Sequence, residues 1–172
     1  MKNQKYFRAT SRSAKVVMVA LALAVVAGLA QGTRAANWNS IEPLKSRRGD
    51  VERALGKPLE DKPGETGTLR FKVAGGTVTV SFVNARFVAN KKLSPDLEGT
   101  VLQVVLQHER APDTPESLGL AKNSDFEREQ RANVSHFRNQ KDGISYTFVE
   151  GKLTTTWYSP AADQLLRARI KA

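Results

Sequence analysis

Few side chains in this sequence could carry acid–base chemistry. The chain contains two histidines, His108 and His136, and no cysteine. A small hydrolase could use either histidine as a general base beside a loop carboxylate. The two histidines are 28 positions apart, and neither belongs to a helical His-x-x-x-His pair that would hold a metal ion. A histidine in a predicted strand is more often hydrogen-bonded and structural, so we expect no catalytic role and keep a small secreted hydrolase as the alternative.

The motifs of common nucleophilic and nucleotide-dependent enzymes are absent from the sequence. It has no G-x-S-x-G nucleophile elbow and no glycine-rich phosphate loop. Three candidate pairs of carboxylates are Asp50 with Glu52, Asp96 with Glu98, and Asp113 with Glu116. The first pair is two positions apart on a predicted helix and points to different faces, and the others fall in predicted loops, which are usually solvated. We therefore expect no metal ion and no cofactor.

Aromatic and basic side chains are the remaining candidates, and they indicate binding rather than catalysis. Trp157 and Tyr158 are adjacent, so on a strand they face opposite sides of the sheet. One of them can fill the core while the other anchors a partner, unless the aromatic pair packs beneath a C-terminal helix. Arg86, Lys91 and Lys92 are interleaved with apolar residues and could contact an anionic ligand, although a solvated loop has the same composition. These five residues form the predicted interaction surface.

The first 35 residues have the pattern of a signal peptide. Five basic residues precede an uncharged run at 16–30, and Thr33 and Ala35 supply small residues before the predicted cleavage point. The run is short for a bilayer span of about 20 residues, so we favour cleavage after Ala35 over a retained signal anchor. The apolar run is followed by no cysteine, which excludes a lipoprotein anchor. The predicted location is the periplasm or the cell exterior.

Removal of this leader changes what the charge implies. The whole chain has a net charge of +10, from 27 basic and 17 acidic residues. Six of the basic residues and none of the acidic ones lie in the leader, so the remainder carries 21 against 17, a net charge of +4. This mild positive charge favours solubility and gives no argument for nucleic acid. We expect the partner to be another envelope or secreted protein, and the membrane to be contacted only through the signal peptide.

The stretch 38–58 shows the clearest local signals. Ser46 is a predicted N-cap for a helix over 47–55, which would bury Val51 and Leu55 on one face. Gly56 suits the left-handed position after the helix, and Pro58 stops its continuation.

Alternating apolar residues predict the remaining structure, which is mainly a β-sheet. Six strands are predicted, over 68–73, 77–82, 100–107, 134–138, 144–148 and 153–157. Gly75-Gly76 and Glu150-Gly151 are predicted hairpin turns, and Leu153, Thr155 and Trp157 are expected to continue the face of Phe148.

The segments between the strands complete the prediction. Residues 59–67 read as a polar connector and 124–131 as a charged, weakly helical stretch. Ser159 and Pro160 are predicted to open a C-terminal helix whose Leu166 and Ile170 pack on the sheet. The prediction is a single α+β domain over 36–172, with an antiparallel sheet of about six strands and two or three short helices. A tandem helix-plus-three-strand arrangement would divide it into 36–110 and 116–172.

The opening pattern also carries a resemblance. Its residues are Trp38-x-x-Ile41-x-Pro43-Leu44-x-Ser46-x-Arg48-x-Asp50-Val51-Glu52-x-x-Leu55-Gly56-x-Pro58. It resembles a group of uncharacterised exported proteins of acidobacterial type, which usually have threonine at the position of Arg47 and often carry cysteines. More remotely, it is similar to the small outer-membrane assembly lipoproteins of the SmpA/OmlA type and to β-lactamase-inhibitor proteins. That resemblance implies a helix-plus-antiparallel-sheet unit and a non-catalytic binding role.

Overall fold

The computed structural model describes residues 36–62 and 67–170, so the predicted signal peptide lies outside the described residues. The chain divides into two units, Met1–Arg34 and Ala35–Ala172, and all of the described strands and helices belong to the second. Its strands are β1 (Glu60–Lys62), β2 (Thr68–Val73), β3 (Gly76–Phe82), β4 (Val101–His108), β5 (Glu127–Arg131), β6 (Val134–Asn139), β7 (Ile144–Val149) and β8 (Lys152–Tyr158). All eight form one antiparallel sheet in the order β1-β2-β3-β4-β8-β7-β6-β5.

Three α-helices accompany the sheet in the described ranges. They are α1 (Arg48–Leu55), α2 (Ala85–Lys91) and α3 (Ala162–Arg167). Short 3₁₀ turns lie at Pro95–Leu97 and Leu120–Lys122. None of the helices within 36–62 and 67–170 is long and apolar enough to cross a membrane. The predicted α+β class with an antiparallel sheet is therefore confirmed.

The described residues form eight strands, two more than the predicted number of about six. The six predicted strands are all present, and the two others, β1 and β5, are the edges of the sheet. Strand β1 lies in the predicted connector, and β5 replaces the predicted helical stretch. Every residue of β5 is exposed, so it has no buried face to produce an alternating pattern. Each half of the sheet consequently contributes four strands rather than three.

One face of the sheet carries the hydrophobic core in two clusters. Under the first half lie Ile41, Val51, Leu69, Phe71, Val78, Val80, Val101 and Val104. Under the second half lie Leu120, Phe137, Phe148 and Leu153. Val51 of α1 is fully buried against the first cluster, and Phe137 meets Phe148 edge to face at 5.7 Å. We call the other side of the sheet the open face.

The N-terminal cap of α1 differs from the prediction. Residue Arg47, not Ser46, precedes the helix, and its N–H donates to the Asp50 carboxylate over 2.9 Å. The Ser46 hydroxyl instead accepts from the N–H of Glu42. Gly56 has the predicted positive φ, +80°, and donates to the carbonyl of Glu52. The side-chain cap at this helix end therefore comes from the Asp50 carboxylate, which accepts from the residue before the helix, and not from the serine.

Helix α3 begins two residues later than predicted, at Ala162 rather than Pro160. Its first turn is fixed by Gln164, whose side-chain oxygen accepts from the N–H of Ala161 over 2.9 Å. The Ser159 hydroxyl accepts from the Gln103 amide instead of capping the helix.

Candidate functional site

The two histidines do not converge. His108 shares the core face of the sheet with Thr156, and its Nε2 lies 2.9 Å from the Thr156 hydroxyl. His136 lies on the open face, where its Nδ1 is 2.9 Å from the hydroxyl of Thr147. Each imidazole thus has a cross-strand threonine partner, and the sheet separates the two rings.

His108 has a carboxylate in its neighbourhood, Asp113. Burial lowers the pKa of His108, and the charge of Asp113 opposes this effect. Burial also raises the pKa of Tyr146 to about 12, with Tyr158 and Asp113 adding to the shift, so this phenol stays protonated at neutral pH. The Thr156 hydroxyl is the group aligned with His108, but Thr156 is only 3% exposed. A substrate could not reach it, and the arrangement is best explained as a structural hydrogen bond.

Three of the six candidate carboxylates, Asp50, Glu52 and Asp96, have structural partners. Asp50 caps α1 and forms an ion pair with Arg53, and Glu52 pairs with Arg48. Asp96 accepts from the hydroxyl of Ser94. Within the described part of the chain, no three histidine or carboxylate side chains are grouped as they would be around a metal ion.

The predicted interaction residues fall on three different surfaces. Trp157 lies on the open face, and Tyr158 packs against the first core cluster, where burial raises its pKa. Arg86 and Lys91 lie on α2, and Lys92 follows it with a left-handed backbone. Trp157 is therefore the half-buried member of the aromatic pair that lies on the open face, and it is distinct from the basic group.

A β-bulge places Trp157 on the open face. Strands β7 and β8 shift register between Thr147 and Phe148, so Phe148 pairs with Leu153, whereas Ser145 pairs with Trp157. The expectation that Leu153 and Trp157 share one face is wrong for this reason. Leu153 points into the core and Trp157 away from it.

The first candidate surface is where the C-terminal ends of α2 and α3 meet. The N–H of Ile170 donates to the carbonyl of Lys92 over 3.0 Å, and Leu93 forms a bridge with Arg169. Leu93 is buried, at 1% exposed, and anchors the junction. We call the helix-end surface the exposed residues at this junction together with Arg86 at the start of α2: Arg86, Lys91, Lys92, Leu166, Arg169 and Ile170.

The helix-end surface combines exposed aliphatic groups with positive charge. Leu166 is 63% exposed and Ile170 59%, so the expectation that they pack on the sheet is wrong; the neighbouring Leu165 is half-buried. The four cations of the surface form no ion pair with any described residue. The one acidic residue of α3, Asp163, pairs with Arg167, and Asp96 lies beyond the junction on a 3₁₀ turn.

The second candidate surface is a cavity of about 540 Å³ on the open face, which we call the open-face cavity. Its walls come from β6, β7, β8, the start of β4 and the start of α3. Trp157, Ser145 and Arg138 are lateral neighbours across three strands. Pro160 and Leu165 form an apolar wall beside the indole.

Gly143 closes one end of the open-face cavity. Its φ is +73°, and a Cβ at this position would lie 2.1 Å from the carbonyl oxygen of Ser159. The Gly143 carbonyl accepts from the N–H of Ser159 over 2.7 Å. Only glycine permits the β6–β7 turn to approach the β8–α3 connection this closely.

The sequence did not indicate the polar lining of this cavity. Gln103, Ser145 and Arg138 lie on three strands and meet only through the strand order, in which β4 pairs with β8. The alternation in each strand could have assigned these three residues to the polar face of the sheet. No local signal in the sequence specifies that β4 pairs with β8.

Comparisons with known proteins found no matching family model, no matching curated protein and no matching solved structure.

Proposed function

We propose that this chain is an exported, non-catalytic protein-interaction domain that docks through the helix-end surface onto an acidic surface of another envelope or secreted protein. The observation that carries the proposal is the pair Leu166 and Ile170, more than half exposed and surrounded by cations without ion-pair partners among the described residues. Export is the expectation from the leader, and the resemblance to exported and outer-membrane assembly proteins stays a prediction beside it.

The aliphatic pair supports a binding role because exposure of these two side chains to water does not stabilise the free chain. Transfer of a leucine or isoleucine side chain from water into an interface contributes about 1.5–3 kcal/mol. A protein partner that covers Leu166 and Ile170 together would gain this free energy, and apolar groups rimmed by polar ones are typical of interaction sites.

The charge defines the chemistry of the partner. Arg86, Lys91, Lys92 and Arg169 are exposed, so an approaching acidic surface is attracted before contact and is oriented by these charges. A basic partner would be repelled. An acidic protein surface with an apolar centre is the complement.

A partner could also bind by adding a strand to an edge of the sheet, but the two edge strands are poorly suited to this. Strand β1 has three residues, all charged, and β5 has the sequence EREQR. Dense charge on short edge strands is how proteins avoid pairing with other chains. Recognition through side chains of the helix-end surface is therefore the better explanation.

The test is affinity capture from envelope extracts of the producing cells. The bait variants are Leu166→Ser with Ile170→Ser and, separately, Lys91→Glu with Lys92→Glu. Leu59→Ser is the matched control, because Leu59 is 65% exposed and lies elsewhere, beside β1. We expect an acidic protein that is recovered by the unaltered chain and the control, and is lost from both helix-end variants. Equal recovery by all four baits would refute the docking surface.

A further inference from the structure

The open-face cavity has a lining that the proposed docking does not use. It combines a flat aromatic surface, Trp157, with apolar flanks from Pro160 and Leu165. Its volume of about 540 Å³ lies within the range of small-ligand sites. The indole carries partial negative charge on its face, which suits the slightly positive C–H groups of a sugar ring better than it suits an anionic group.

The polar side chains of the cavity suit hydroxyl groups. Gln103 offers an amide that can both donate and accept, and the hydroxyls of Ser145 and Ser159 can do the same. The Gln103 amide already donates to Ser159 over 3.0 Å, which holds it in place. A ligand with several hydroxyls needs partners of this dual kind, because each hydroxyl is both donor and acceptor.

One cation accompanies these groups. Arg138 lines the cavity, is exposed and forms no ion pair with a described residue. Its cross-strand partner Glu127 instead accepts from the Gln140 amide at 3.4 Å. A single guanidinium matches one carboxylate in a bidentate contact; a polyphosphate would need more cations than the cavity has.

We infer that the open-face cavity binds a carboxylated oligosaccharide. A sugar ring lies on the indole of Trp157, its hydroxyls pair with Gln103 and Ser145, and its carboxylate pairs with Arg138. Strands are about 4.8 Å apart, so Arg138 lies about 10 Å from Trp157 across β7, and the ligand spans that distance. This site is independent of the helix-end surface.

The experiment is calorimetric titration with digalacturonate and with its methyl ester. We expect digalacturonate to bind and Trp157→Ala to weaken both ligands more than tenfold, while Trp157→Phe keeps most of the affinity because it retains an aromatic face. Arg138→Gln should weaken digalacturonate about tenfold and leave the ester unchanged. Glu127→Gln should strengthen digalacturonate binding about twofold, since it removes a negative charge beside Arg138 that repels the anionic ligand.

Controls separate this inference from the proposed function. Leu166→Ser with Ile170→Ser should leave sugar binding unchanged, and Arg53→Ala, on α1 at the covered face, should do the same. Chemical denaturation of each variant verifies the fold. Absence of binding to either disaccharide at millimolar concentration would overturn the inference, as would equal affinities of the unaltered chain and a folded Trp157→Ala variant.

Discussion

Gly143 is the residue on which the end wall of the open-face cavity depends. Its positive φ and the close approach of the Ser159 carbonyl both exclude a side chain. Gly151 has nearly the same φ, +74°, but nothing lies within 4 Å of its Cβ position. Alanine at Gly151 would therefore introduce backbone strain alone, whereas alanine at Gly143 would introduce the same strain and a steric collision.

We expect Gly151→Ala to lower the free energy of unfolding by about 1 kcal/mol, and Gly143→Ala by about 3 kcal/mol, since the collision adds to the strain. Urea denaturation of both variants measures the difference. Equal losses would show that the β8–α3 connection moves away without cost and is not held against the turn.

His108 is expected to make the fold sensitive to acid. Its folded pKa lies below the ordinary value of 6.5, so unfolding takes up a proton when the pH is between the two values. Stability should therefore fall as the pH decreases through 6.5, and the loss should be complete below the folded pKa. Asp113 reduces the shift but does not reverse it.

The measurement is the free energy of unfolding of the unaltered chain and of His108→Gln between pH 8 and pH 5, compared across the series. Glutamine can still bond to Thr156 but does not titrate, so its curve should be flatter over this interval. Parallel curves would mean that the His108 environment does not penalise the charged ring.

At the scale of elements, the strands with one buried face were predictable and the edges were not. Leu69 and Phe71 alternate with polar residues because one side of β2 is covered, and this pattern is visible in the sequence. Strand β5 is held by its pairing with β6, which is a tertiary contact. The sequence pattern also did not predict the bulge between Thr147 and Phe148. This bulge determines the face of the sheet on which Trp157 lies.

Hydrogen exchange can test the assignment of β5. Its amides pair only on one side, with β6, and all its residues are exposed, so they should exchange faster than those of β7 and β8 in the centre of the sheet. NMR should show cross-strand contacts between Arg128 and Phe137, which are register partners. NMR contacts between residues three apart within this segment are typical of a helix. They would contradict the β5 assignment and support the predicted helical stretch over 124–131.

At the scale of the molecule, the two candidate surfaces lie on different parts of the fold. Helix α1 and the long connections cover one face of the sheet, and the open-face cavity lies on the other. The ends of α2 and α3 present the exposed Leu166 and Ile170 beside cations that have no ion-pair partner among the described residues. The sequence predicted the basic members of this surface, Arg86, Lys91 and Lys92. It did not predict that the aliphatic ones lie beside them, because that depends on the junction between distant segments.

The most direct test of the docking claim is site-specific photo-crosslinking in the producing cells. A photoreactive amino acid replaces Leu166 in one strain and Leu59 in another, two leucines of nearly equal exposure, 63% and 65%. We predict that the Leu166 position crosslinks to one acidic protein and that the Leu59 position does not. Crosslinks to the same protein from both positions, or from the Leu59 position alone, would contradict the assignment of the helix-end surface.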